Sequence, residues 1–184
     1  MRPRIAVALL TALLALAAGL TACGSGDETT TANDTEGAVE GEPLEIAGLS
    51  YNVQITRFLN PKDKEDAEYL VGQPPARPGT AYLGVFMVIE NDSDDAHPSA
   101  TGYTIHDTLD NQYDFIESES PYALDVGAAV PANDQLPIPD TTAATGPNHG
   151  SLLIFEVDEA VSDNRPLKLE VEASGDSGEI TLDI

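Results

Sequence analysis

Tryptophan is absent from this chain, cysteine occurs once, and eight basic side chains face 32 acidic ones, for a net charge of −24. Each shortage excludes something. A single cysteine cannot close a disulfide within the chain, so a small disulfide-stapled fold is ruled out. Without a Cys–Trp–Cys trio, the core of antibody domains is ruled out as well. With three histidines at no short spacing, the paired His or Cys ligands of a zinc site are missing. A surplus of carboxylates repels nucleic acid and anionic lipid headgroups, and favours basic partners or cations instead.

The one cysteine, Cys23, follows an unusual stretch. Arg2 and Arg4 precede an apolar run over 5–20, broken only by Thr11 and Gly19. A basic start, an apolar run and small residues before a cut describe an export signal over 1–22. The run is short for a permanent span, which needs about 20 apolar residues. Leu20, Thr21, Ala22, Cys23 and Gly24 resemble the bacterial lipobox. That resemblance implies cleavage before Cys23, acylation of its sulfur and a lipid anchor on the extracytoplasmic face of the cell membrane. The alternative is a plain signal peptide followed by a chance free thiol. Loss of Arg2 and Arg4 leaves six basic against 32 acidic side chains, or −26.

Residues 24–43, GSGDETTTANDTEGAVEGEP, contain no aromatic and no basic residue. Such a composition buries too little apolar surface to order itself. The expected organisation is therefore a signal peptide over 1–22, an acylated cysteine with a flexible acidic linker over 23–43, and one domain over 44–184.

All six Tyr and four Phe fall in that domain. Leu49, Tyr51, Val53 and Ile55 alternate with polar residues, as in a half-buried strand. Leu44 and Ile46 are in the opposite phase, which predicts a bulge near Gly48. Residues 80–91, TAYLGVFMVIEN, are apolar on both faces and predict a central strand covered on both sides. Tyr103 and Ile105 alternate, a turn follows at Asp110 and Asn111, and Tyr113 and Phe115 resume the pattern. SLLIFEV, 151–157, predicts another strand. Residues 167–184 read as a hairpin with one apolar and one charged face. One short helix is expected after Asn60, with Pro61 at its first position. Seven or eight short strands predict an all-β fold, an antiparallel Ig-like β-sandwich.

PGTAYLGVFMVIEN, YTIHDTLDNQY and GPNHGSLLIFEV follow one another in an order and spacing that resemble the Ig-like lipoprotein domains grouped as domain of unknown function 4352. Those domains are allied to a secreted mycobacterial immunogenic protein. The resemblance implies a bacterial lipoprotein of actinobacterial type with an Ig-like sandwich, and it brings no chemistry with it.

No catalytic constellation is evident. His97, His106 and His149 sit in no nucleophile motif such as Gly-x-Ser-x-Gly. Asp92, Asp94 and Asp95 form an acidic loop that could offer oxygen ligands to Ca²⁺, without the Gly and Glu spacing of an EF-hand. Asp107, Asp110 and Asn111 surround a turn, and Asp107, in phase with Tyr103 and Ile105, is expected to accept backbone N–H groups there. The expectation is a membrane-anchored binding or structural module without cofactor, meeting a protein or other cell-envelope partner, a basic one fitting best. The alternatives are a Ca²⁺-binding protein or a cell-envelope enzyme with a carboxylate site.

Overall fold

The computed structural model describes residues 37–184. The export signal, the lipobox Leu20, Thr21, Ala22 and Cys23, and residues 23–36 of the linker lie outside the described residues. Among the described residues no helix is long and apolar enough to cross a membrane.

The chain from residue 80 onward explains the architecture. Strand β4 (Thr80–Asn91) is buried along almost its whole length. Its alternate side chains Leu83, Val85, Met87 and Ile89 enter the main core, whereas Tyr82 and Phe86 enter a second, smaller core on the other face. Strands β3 (Leu49–Leu59) and β10 (Ser151–Asp158) flank it antiparallel. A three-residue strand, β9 (Asp134–Leu136), extends the line of β10 beyond its start by pairing with the end of β4. Strand β2 (Leu44–Ile46) completes this layer.

The opposing layer runs β12 (Asp176–Leu182), β11 (Leu167–Ala173), β6 (Gly102–His106) and β7 (Gln112–Ile116). Strand β7 belongs to both layers. Gln112 to Asp114 pair with β6, and then Phe115 and Ile116 pair with β10. Tyr103, Ile105, Leu169, Val171 and Ile180 from this layer meet Tyr51, Val53 and the core face of β4. The result is a β-sandwich whose two sheets are continuous at one corner. Two further pairs of residues, β5 (His97–Pro98) and β8 (Ala129–Val130), form a separate small ladder.

Several expectations need correction. Leu44, Ile46 and the 49–55 series are not one bulged strand. Ala47 and Gly48 both have positive φ, 50° and 80°, which makes a two-residue hairpin turn of the kind whose twist matches its strands. The irregularity in β3 comes later, between Val53 and Ile55. The helix, α1 (Lys64–Tyr69), starts after Asp63, whose carboxylate accepts the N–H groups of Glu65 and Asp66. Pro61 lies in the preceding turn, so Asp63 rather than Asn60 is the cap. His97 begins β5. Among the described residues the strands number twelve, more than the seven or eight expected.

The domain also begins before residue 44. Strand β1 (Ala38–Val39) pairs with β12, and pairs with it in parallel, so the sandwich is not wholly antiparallel. Ala38 is buried in the main core. The 37–43 portion of the expected linker is thus part of the fold. Glu40 explains why. Its N–H donates to Thr181 O, while its Oε1 accepts from Thr56 N–H and its Oε2 from Asp183 N–H, both at 3.0 Å. One carboxylate therefore joins β3 to the tail of β12 across the open side of the sandwich. Gly178 belongs to the same seam: a Cβ there would lie 3.1 Å from Leu44 and Ile46 side-chain atoms.

Hydrogen bonds to a charged acceptor are worth about 1.5–3 kcal/mol each in favourable settings. Glu40→Ala, which removes two partly exposed ones, is expected to lower unfolding stability by roughly 2 kcal/mol. Urea denaturation measures this, and an unchanged midpoint would show that the seam holds without it.

Candidate functional site

The outward face of the β12–β11–β6–β7 layer is built from the alternate residues that the core does not use. Register places them in rows. Thr181, Lys168, His106 and Gln112 form one row, and Glu179, Glu170, Thr104 and Asp114 form the next. A third holds Ser177, Glu172 and Gly102. Glu170 and Glu179 stand directly opposite each other, an arrangement that like charges disfavour. Neighbours in the first row offset it: Lys168 Nζ lies 2.7 Å from Glu179, and His106 Nε2 lies 3.0 Å from Glu170. Thr104 Oγ1 donates to Asp114 at 3.0 Å. Glu172 has no such partner among the described residues. The face is flat, polar and acidic in balance.

A cleft of about 630 Å³ opens where β7 leaves β6 for β10. Phe115, Leu124 and Leu153 form its apolar floor, with Thr101, Glu117 and Asp125 around it. The segment after β7 returns along β10, where Leu152 N–H donates to Tyr122 O and Leu124 N–H to Leu152 O.

The acidic loop is organised by Asn91 rather than by its aspartates. Asn91 is buried, donates to Asp95 O, Val130 O and Pro131 O, and accepts from Ser93. Asp92, Asp94 and Asp95 are exposed, and Asp94 receives a bond from Asn133. Among the described residues no three of His, Cys, Asp and Glu converge as ligands for a metal ion.

Asp107 is buried at the end of β6 with both oxygens occupied. Oδ1 accepts from Leu109 N–H and Asn111 N–H, and Oδ2 from the side-chain amides of Asn111 and Asn164. Burial would raise its pKa, but these four bonds outweigh burial and hold it below the ordinary value. Asp110 supplies the positive φ of the turn, 63°. His106 lies in the row of Lys168 and Gln112 and reaches Glu170 in the next, His149 is exposed, and the His97 ring packs over Gly48. The three histidines are not brought together with a common nucleophile.

Sequence reasoning passed over Glu156. Its Oε1 accepts from the Thr80 hydroxyl, from Arg77 N–H at 2.8 Å and from Arg77 Nε at 3.0 Å. The Thr80 hydroxyl first, then Arg77, lower its pKa from 4.5 to about 2. Its only trace in the sequence is one acid inside the apolar SLLIFEV run. The role is structural: it ties the loop before β4 to β10.

No protein-family model matches this sequence, and no curated protein does. Among solved structures, the chain is similar to an uncharacterised β-sandwich protein from Clostridium difficile 630, at 15% identity over 83% of this chain and 99% of that one, with a TM-score of 0.47. It is also similar to the yjhA protein of Bacillus subtilis, at 11% identity over 79% and 99%, with a TM-score of 0.49. A candidate lipoprotein of B. subtilis, ycdA, matches at 15% identity over 78% of this chain and 38% of that one, with a TM-score of 0.48.

Glu156 generates an acid-stability prediction. A depressed carboxyl pKa contributes stability that is present above the unfolded value of 4.5 and lost as pH falls through about 2. Urea midpoints measured across that window should fall less steeply for Glu156→Gln than for the unaltered protein, from a lower plateau at neutral pH. Parallel curves would show that Glu156 does not carry the acid limb.

Proposed function

We propose that this chain is an exported bacterial lipoprotein, anchored through Cys23, whose Ig-like sandwich is a binding module and not an enzyme. The observation that carries the reading is the laddered acidic face of β6, β7, β11 and β12. Glu170, Glu179, Asp114 and Glu172, held in register on the sheet, form a surface for a basic partner in the cell envelope, and Lys168 and His106 beside them bond Glu179 and Glu170. Complementary charge of this kind sets partner choice and association rate more than raw affinity. The resemblance of residues 20–24 to the lipobox supports the envelope location, and the two packed sheets of the sandwich support the Ig-like reading.

Two outcomes are expected. Cys23→Ser moves the protein out of the processed, membrane-bound fraction, and retention as a cleaved membrane protein would refute the anchor. Capture of partner from envelope membranes weakens as salt rises. It also falls roughly ten-fold or more for E170K/E179K, whereas an equal charge reversal at Glu42 and Asp92 leaves it nearly intact. Equal losses from both pairs would show that net charge, not this face, selects the partner.

A further inference from the structure

The cleft beside β7 has a charge of one sign as well as an apolar floor. Two of its lining residues, Glu117 and Asp125, are exposed, and no ion pair among the described residues includes either of them. Among the described residues that line it there is no Lys, Arg or His. Arg57, Arg77 and Lys168 are held by carboxylates elsewhere, Arg165 by Ile184 O, and Lys62 and Lys64 lie at the start of α1. Thr101 is shared with a second hollow, of about 260 Å³, that Glu172 and Asp176 also line. Glu172 belongs to the third row of the sheet face, and its carboxylate lies against Gly102, next to Thr101. The acidic face and the cleft therefore meet at Thr101.

The backbone of the lining is only partly used. Leu124 N–H donates to Leu152 O, and Glu117 O accepts from Gln73. The N–H groups of Asp125 and Val126 and the carbonyls of Ser118 and Leu124 have no backbone partner among the described residues. A hydrocarbon laid over such groups would leave them without bonds, which is costly. An extended peptide brings donors and acceptors of its own. The floor asks for an apolar stem and the lining carboxylates for a cation. Lysine combines the two, because its alkyl stem packs on apolar surface while its ammonium stays at the polar edge.

We propose that this cleft receives a lysine side chain carried by an extended segment of the basic partner. The inference rests on the binding-module reading and adds to it the point of entry. The stem lies on Phe115, Leu124 and Leu153, the ammonium sits at Glu117 and Asp125, and the residues flanking the lysine bond the free backbone groups of 118–126. The cleft volume, about 630 Å³, lies within the roughly 300–1,000 Å³ of sites that hold a ligand of this size. The acidic sheet face draws the partner in, and the cleft selects one side chain of it.

The test uses the full chain in a neutral detergent and the heptapeptide Thr-Ser-Val-Lys-Val-Ser-Thr, amidated and carrying a neutral fluorophore on its amino terminus, so that lysine is its only charge. Fluorescence anisotropy reads the binding. Affinity should fall roughly ten-fold when the lysine is replaced by norleucine, which keeps the stem without the charge, and likewise by diaminopropionate, which keeps the charge on a shorter stem. E117Q/D125N should cost the lysine peptide roughly ten-fold and the norleucine peptide almost nothing. Thr101→Trp, which fills the cleft from an exposed position, should weaken both. No binding of the lysine peptide, unchanged binding in E117Q/D125N, or equal binding of the diaminopropionate peptide overturns the proposal. So does displacement by butylammonium as effective as by unlabelled peptide, which would mark a pocket for small amines. A loss in E170Q/E179Q with none in E117Q/D125N removes the cleft and leaves the acidic-face reading standing. Envelope capture unaffected by E170K/E179K removes that reading and leaves the peptide result intact.

Discussion

Two-sided burial of β4 is the constraint on which the rest of the structure depends. A strand with apolar residues on both faces needs two covers. The main face is covered by the opposing sheet, which supplies Tyr103, Leu169 and Ile180. The other has no third sheet to meet. Helix α1, its flanking turns and the segment around Tyr122 cover it instead, with Tyr69 set edge-on to Phe86 at 5.1 Å and to Tyr122 at 4.8 Å. Edge-to-face geometry of this kind adds about 0.5–1.5 kcal/mol per pair beyond burial. A cover of loops and one short helix fits less evenly than a sheet would.

Acidity, read first as a statement about partners, also organises the loops. Glu40 closes the seam, Asp63 caps α1, Asp66 holds Arg57 and the Asn60 N–H, Asp107 fills the turn after β6, and Glu156 fixes the approach to β4. Each carboxylate accepts at least one backbone N–H group, and Asp66, Asp107 and Glu156 accept side-chain donors as well. Buried or half-buried amides must find acceptors, and here carboxylates serve. The remaining acids are free to form the outer rows of the sheet.

The two surfaces follow from the same division. Strands β6, β11 and β12 alternate strictly, so one face is core and the other is a regular charged lattice. Strands β4 and β10 do not alternate, so their outer face is covered by α1 and irregular segments.

Continuous apolar runs determined β4 and β10, and period-two alternation determined β6 and the 167–184 hairpin, because a strand buried on both faces or on one leaves a pattern that burial itself enforces. Composition determined the acidic character, and the inward phase of Asp107 was legible for the same reason as its neighbours. Tertiary structure alone decided the remainder. Ala38 and Val39 are too few to show a period, and their place beside β12 depends on Glu40 reaching Thr56 and Asp183, far away in the sequence. Asp63 displaced Pro61 as the helix start because its carboxylate could reach the first amides of α1. Contacts of this kind depend on distances in the folded chain, which no linear pattern records.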